Sequence, residues 1–301
     1  MLRPRVLFLL ALAPSLILGC RKDVKESAAQ APPEFIGGTR PAALYVPDDY
    51  DPDVAYPLVV MLHGFGSNGT SQNVIFGLRE RVTSDQFVLV VPEGIRNSRG
   101  RQFWNAFPDC CDFEKSGVDD VAYLSALVEE AASVVHIDRA RIGAVGHSNG
   151  GYMSFRLACD RPDLFRRIVS LAGSMPVNPE DCPQPGAVSV LHIHGSRDDV
   201  VPYEDNREGT TGTNHDIVSR GARDTVERFR IRNGCPEAPD REEALDLVSN
   251  VKGAETTARV WESCATGERV EFWDSEGVDH LFLGRNKEFQ DRIAAFVTAP
   301  R

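Results

Sequence analysis

Residues 141–155 read Arg141-Ile142-Gly143-Ala144-Val145-Gly146-His147-Ser148-Asn149-Gly150-Gly151-Tyr152-Met153-Ser154-Phe155. Arg141 to Val145 is a short run of strand character, and the residues after Ser148 take on helical character. Between them lies Gly146-His147-Ser148-Asn149-Gly150, a G-x-S-x-G pattern. The five letters alone also fit a glycine-rich loop with an incidental serine. A strand before and a helix after make Ser148 the predicted nucleophile. A serine on a sharp strand-to-helix turn holds its hydroxyl at the crest of a sheet. Side chains at Gly146 and Gly150 would collide with backbone there, and the following helix aims its N-terminus at a developing oxyanion.

Outward from this turn, apolar runs alternate with helical patterns. Pro57 to Leu62, Phe87 to Val91, Ile168 to Leu171 and Val188 to Ile193 are further strands, with Val270 to Trp273 near the end. Continuous Val/Ile/Leu runs predict strands covered on both faces, as in a parallel sheet. In residues 119–135, Val121, Leu124, Val128, Ala131, Ala132 and Val135 keep the spacing of one apolar helix face, with Asp119 or Asp120 as N-cap. Arg285 to Val297 reads as a closing helix. Residues 232–257 are charged and turn-rich, an excursion from the core. The alternation predicts an α/β protein of the α/β-hydrolase fold, a mostly parallel, doubly wound sheet with helices on both faces.

In that fold the catalytic order along the chain is Ser, then Asp or Glu, then His. His63, His136 and His147 are excluded as the base by that order. His194-Gly195-Ser196-Arg197-Asp198-Asp199-Val200-Val201-Pro202 follows a strand, so Asp198 or Asp199 is the acid, and His192 and His194 come too early to be the base. His280, between the last strand and the last helix, is the predicted base; His215 lies in a polar stretch of solvent-loop character. His192 and His194 share one strand face, which could suit a metal ion, but no third ligand is evident and a loop-bracing role is simpler. Oxyanion donors are expected from the N–H of Asn149 and of Phe65, in the loop His63-Gly64-Phe65-Gly66. No cofactor and no metal are expected.

The N-terminus reads as export machinery. Arg3 and Arg5 precede an apolar run from Val6 to Leu18, then Gly19-Cys20. Residues 1–19 are a predicted signal peptide, and Ile17-Leu18-Gly19-Cys20 resembles a bacterial lipobox that would lipidate Cys20. Residues 20–35 form the expected lipidated tether, and 36–301 the catalytic domain. The expected location is the bacterial envelope through that anchor, or otherwise a secreted or periplasmic protein. Any membrane contact is expected through Cys20 alone. The formal net charge of −11 argues against a nucleic-acid partner. Six cysteines remain after Cys20, namely Cys110, Cys111, Cys159, Cys182, Cys235 and Cys264. An even count in an exported chain implies disulfides, with 15 possible connectivities.

His63-Gly64-Phe65-Gly66-Ser67-Asn68-Gly69, Trp104-Asn105, Cys110-Cys111, Val118-Asp119-Asp120-Val121, Gly146-His147-Ser148-Asn149-Gly150-Gly151 and His194 through Tyr203 occur in this order. Over about residues 40–298 the set resembles the polyhydroxybutyrate depolymerase/feruloyl esterase family, related to carbohydrate esterase family one. The resemblance places the acid at the first aspartate of an HG-x-x-D-x-V-V-P turn, hence Asp198. It places the base in a G-G-H-x-W-P-G-like segment, hence His280. The chain departs there, with Phe282 in place of tryptophan and no proline. The resemblance further implies pairs Cys159–Cys182 and Cys235–Cys264, leaving Cys110–Cys111 as a vicinal pair, and sets Trp104, Tyr203 and Phe282 at the substrate cleft.

The implied activity is hydrolysis of a small ester or oligomer, of feruloyl or hydroxybutyrate type, through an acyl-enzyme. The rival readings are a serine peptidase, a lyase or transferase, and a non-catalytic surface-binding lipoprotein. Only 21 residues follow His280, so no adhesion module is expected there, and soluble esters are expected over solid polymer.

Overall fold

In the computed structural model, residues 31–183, 186–205 and 220–300 are described. The signal peptide, Cys20, most of the tether and His215 lie outside them. The chain divides into two units, Met1–Ala31 and Pro32–Arg301, and every element below belongs to the second.

The strands are β1 (Phe35–Ile36), β2 (Ala42–Tyr45), β3 (Tyr56–Leu62), β4 (Val88–Val91), β5 (Ile95–Arg96), β6 (Gln102–Phe103), β7 (Ile137–His147), β8 (Arg167–Leu171), β9 (Ser189–Gly195), β10 (Arg241–Leu245), β11 (Thr256–Trp261) and β12 (Val270–Ser275). The α-helices are α1 (Gly69–Phe76), α2 (Asp120–Val134), α3 (Asn149–Asp160), α4 (Ala222–Arg232) and α5 (Lys287–Thr298). Ten strands form one sheet in the order β1-β2-β4-β3-β7-β8-β9-β12-β11-β10, and β5 and β6 form a separate ribbon. The six central strands, from β4 to β12, run parallel. Both edges are closed by antiparallel pairs.

Strand periodicity sorts β3 between two cores. Leu58, Val60 and Leu62 pack with apolar residues of α2, α3 and α4 on one face. Val59 and Met61 pack with Phe76 of α1 and Phe289, Ile293 and Val297 of α5 on the other. All seven β3 residues are buried, which is why the run carries no polar alternation. Each such Val or Leu contributes about 1.5–3 kcal/mol by leaving water. The α/β-hydrolase architecture, with helices on both faces of a mostly parallel sheet, is therefore present.

Local expectations fare unevenly. Asp119 is the N-cap of α2, accepting the Ala122 N–H at 2.9 Å. Asp120 is instead buried against Arg40, at 2.7 Å. Asn286 caps α5 by accepting the Phe289 N–H, so that helix starts two residues later than periodicity suggests. Phe35 already pairs with Ala43, so ordered chain begins before residue 36. Residues 232–257 are not an excursion throughout. Arg241–Leu245 is the edge strand β10, paired antiparallel with β11. Its Arg-Glu-Glu start hides the strand in the sequence, because an edge carries charge where an interior strand carries apolar residues.

All three disulfides form: Cys159–Cys182, Cys235–Cys264 and the vicinal Cys110–Cys111. Cys159–Cys182 ties the end of α3 to the segment before β9. Cys235–Cys264 clamps the hairpin of β10 and β11 at its base. A Cys20→Ser variant, denatured without reductant, is expected to take up no thiol reagent. Two labelled sites would show one of these pairs to be open.

Candidate active site

Strand β7 ends at His147 and helix α3 begins at Asn149, so the whole reversal falls on Ser148. Its backbone has φ 54° and ψ −120°, a conformation that costs an L-residue of order 1–3 kcal/mol. The flanking glycines make the turn possible. A Cβ on Gly146 would lie 2.0 Å from the Gly150 oxygen, and one on Gly150 would lie 2.3 Å from the Leu62 oxygen. The Ser148 N–H donates to Leu171 O at 2.8 Å, which ties the turn to the end of β8.

Helix α3 presents its first N–H at Asn149, where no intrahelical acceptor exists. The Asn149 side chain clamps Trp104: its Oδ1 accepts the Trp104 N–H at 2.8 Å and its Nδ2 donates to Trp104 O at 2.9 Å. Trp104 in turn donates Nε1–H to His63 O at 2.9 Å. The loop after β3 is thus strapped to the elbow. Within it, Gly64 N–H donates to Gln72 Oε1, Gly66 N–H to Gln102 O and Ser67 N–H to Gly64 O. A Cβ on Gly64 would touch the Ser148 Cβ at 3.4 Å, so this backbone passes directly beside the serine. His63 is a brace: Gly94 N–H donates to its Nε2 and its Nδ1–H donates to Gly64 O. That assigns a neutral tautomer, and burial lowers its pKa accordingly.

Asp198 lies in the turn after β9 and is buried; Asp199, next to it, is exposed. Asp198 Oδ2 accepts the His280 Nδ1–H at 2.8 Å, and its Oδ1 accepts the N–H groups of Val200 and Val201 at 2.9 and 2.8 Å. Burial opposes its ionisation, but hydrogen bonds from His194 and His280 win and hold the carboxyl well below the usual range. The loops that carry Asp198 and His280 are stitched together. Arg197 N–H donates to Val278 O at 3.0 Å and Gly277 N–H to Ser196 Oγ at 2.8 Å. Gly195 is needed at this junction, since a Cβ there would meet Val278 O at 2.2 Å.

One residue has a role that chain order alone missed. His147 Nε2–H donates to the His280 carbonyl at 2.9 Å, and the two rings stand 4.9 Å apart. It holds the loop that carries His280. Its pKa is pushed down to about 3, by burial first and then by His280. A buried ring hydrogen-bonded to a carbonyl gives no signal in a sequence.

Ser148 and His280 line one cavity of about 440 Å³. Its apolar wall comprises Phe65, Ile75, Phe113, Tyr152, Val200, Val201, Leu281 and the Cys110–Cys111 disulfide. The expected cleft aromatics are elsewhere. Trp104 is fully buried beneath the elbow. Tyr203 packs edge-on against His194 and donates its hydroxyl to Asp274 at 2.7 Å. Phe282 turns into the core against Phe289, with φ 50°, and its neighbour Leu281 faces the cavity instead. Beside His280 a second, polar depression is lined by Arg197, Asp199, Asn250 and Lys252. Among the described residues, no group of three or more His, Cys, Asp or Glu side chains is placed to hold a metal ion.

Residues 51–215 match the phospholipase/carboxylesterase family. Feruloyl esterase C of Emericella nidulans is 29% identical over 192 residues, covering 62% of this chain and 64% of its own length. Feruloyl esterase B of Piromyces equi is 24% identical over 237 residues, covering 78% of this chain and 41% of its own. The chain therefore spans less than two thirds of either relative. Among solved structures, acetyl xylan esterase from Aspergillus awamori superposes with a TM-score of 0.62 at 14% identity, covering 86% of this chain and 97% of that one. At that identity the likeness is one of fold.

The buried histidines set an acid limit on stability. His63, His147 and His192 are all held below the ordinary histidine value by burial. The folded state thus binds fewer protons than the unfolded one below about pH 6.5. Their contribution is complete above that pH and is lost as pH falls toward the folded values, at up to about 1.4 kcal/mol per pH unit for each ring. Unfolding free energies measured down to about pH 4 should decline, and His147→Gln should make the decline shallower. An unchanged slope in that variant would contradict the assignment of His147 as a neutral buried donor.

Proposed function

Because the chain belongs to the phospholipase/carboxylesterase family, we propose that it is a serine-dependent carboxylic ester hydrolase whose first substrates are feruloyl-type esters. The observation that carries this reading is the joint placement of Ser148 and His280 in one apolar cavity, with His280 Nδ1 bonded to buried Asp198. His280 takes the Ser148 proton as Oγ attacks the ester carbonyl. The carbonyl π electrons move onto oxygen, and the N–H groups of Asn149 and Phe65 hold that oxyanion. Asp198 orients and stabilises the imidazolium. The tetrahedral species collapses, the C–O bond to the alcohol breaks, and His280 gives its proton to the alcohol. Water, deprotonated by His280, then releases the acid and restores Ser148. No step requires a cofactor.

The cavity wall supports a flat, apolar acyl group. The edge-to-face pair Phe65–Phe113, with centroids 5.5 Å apart, supplies aromatic surface for a hydroxycinnamoyl ring. Hydroxybutyrate oligomer esters are the second reading, since the same wall accepts a short aliphatic acyl chain. Three disulfides support work outside the reducing cytosol. Export through residues 1–19 and anchoring at Cys20 complete the reading, and globomycin-sensitive processing or metabolic labelling with a fatty acid tests the anchor. A serine peptidase would share these residues; turnover of matched esters and amides separates the two.

Ser148→Ala should abolish turnover of p-nitrophenyl and methyl feruloyl esters while leaving the fold intact. Asp198→Asn should lower kcat by about 10⁴, as when the imidazole is held in the wrong tautomer. Asp199→Asn should stay near wild type. The reverse ranking of the two aspartates would move the acid to Asp199.

A further inference from the structure

His192 and His194 lie on one face of β9, fully buried behind Asp198, and the reaction above does not use them. His192 Nδ1 lies 3.2 Å from Ser170 O, and His194 Nε2 lies 2.9 Å from Val201 O. A carbonyl oxygen can only accept, so each of these nitrogens carries a proton. The two remaining nitrogens, His194 Nδ1 and His192 Nε2, face each other at 3.3 Å. That contact is a hydrogen bond only if one proton lies in it. Two neutral imidazoles hold two protons in all, and both are already placed. With two, bare lone pairs would oppose each other in a dry interior, leaving a buried polar contact unmade.

We propose that the pair holds three protons, that His194 is a buried imidazolium, and that it is a positioning residue for the triad acid. His192 is the acceptor because it lies between Phe155 and Phe272, whose rings are 5.5 and 5.8 Å from its own. His194 has the compensating charge beside it: its Nε2 is 3.3 Å from Asp198 Oδ2, the same oxygen that accepts the hydrogen bond from His280 Nδ1–H. The other groups around the pair are accounted for. Tyr203 meets His194 edge-on, and its hydroxyl is bound to Asp274. Asp274, opposite His194 in the sheet register, is bound by Arg223 and Arg259. Asp198 therefore serves two imidazoles, His194 and His280.

The role in catalysis rests on the ester-hydrolase reading, but the protonation does not, and the two are tested apart. In the ¹⁵N-histidine-labelled full chain at about pH 7.5, where a free histidine is mostly neutral, long-range ¹H–¹⁵N spectra should show one ring with both nitrogens protonated. A coupling across the N–H···N bond should join it to a second, neutral ring. Two neutral rings, or no coupling, would overturn the proposal whatever the protein hydrolyses. In the kinetic arm, His194→Gln removes the positive charge that offsets Asp198. The carboxylate then favours the protonated form of His280, so the acid limb of kcat/KM should move up by about one pH unit, with KM little changed. A uniform loss at every pH would reduce His194 to a packing residue.

Discussion

Everything in this molecule that bears on chemistry depends on one backbone reversal. Ser148 can occupy its φ 54° conformation only because Gly146 and Gly150 let the end of β7, the start of α3 and the end of β3 approach to van der Waals contact. The strain of order 1–3 kcal/mol is over-determined by its surroundings. Leu171 O holds the serine N–H, the buried sheet fixes β7, and the packed face of α3 fixes the helix. The same close approach brings the loop after β3 alongside the serine, so the geometry that exposes the hydroxyl also sets backbone beside it.

From that point the site is assembled by loops that hold one another. Trp104 links the Asn149 clamp to His63 O, and so ties the loop of one strand to the helix of another. His147 holds His280 by its carbonyl, and Gly195 allows the loops that carry Asp198 and His280 to touch. Histidine serves here in several states. His63 and His147 are neutral braces, His280 faces the cavity, and His194 lies against Asp198. Burial holds His63, His147 and His192 neutral, because a dry environment penalises the charged ring, and at His63 it outweighs even the nearby Glu93 carboxylate.

Much of this was legible in the sequence, for physical reasons. The core strands are apolar because both faces are covered, so β3 and β4 announce themselves as uninterrupted runs. The elbow shows because only glycine tolerates its contacts, and Asp198 and His280 are singled out by the order in which the fold brings strand ends to the crest. What was not legible depends on side-chain direction. Trp104, Tyr203 and Phe282 lie near the right segments, but two are braces and one turns into the core. Phe282 and Leu281 exchange places because the backbone at Phe282 is left-handed, and nothing in the letters prescribes that for a phenylalanine. β10 was hidden for the opposite reason, since its charges suit an edge and mask the strand.

The central claim is that Ser148 is an activated nucleophile, and labelling tests it without assuming any substrate. A fluorophosphonate probe reacts with serines whose hydroxyl is deprotonated by a neighbouring base, and peptide mapping by mass spectrometry locates the adduct. The account predicts a single adduct, on Ser148, that requires the folded chain and is lost when His280 is replaced by alanine. Labelling of a different serine, or no labelling of a folded chain that still hydrolyses esters, would contradict it.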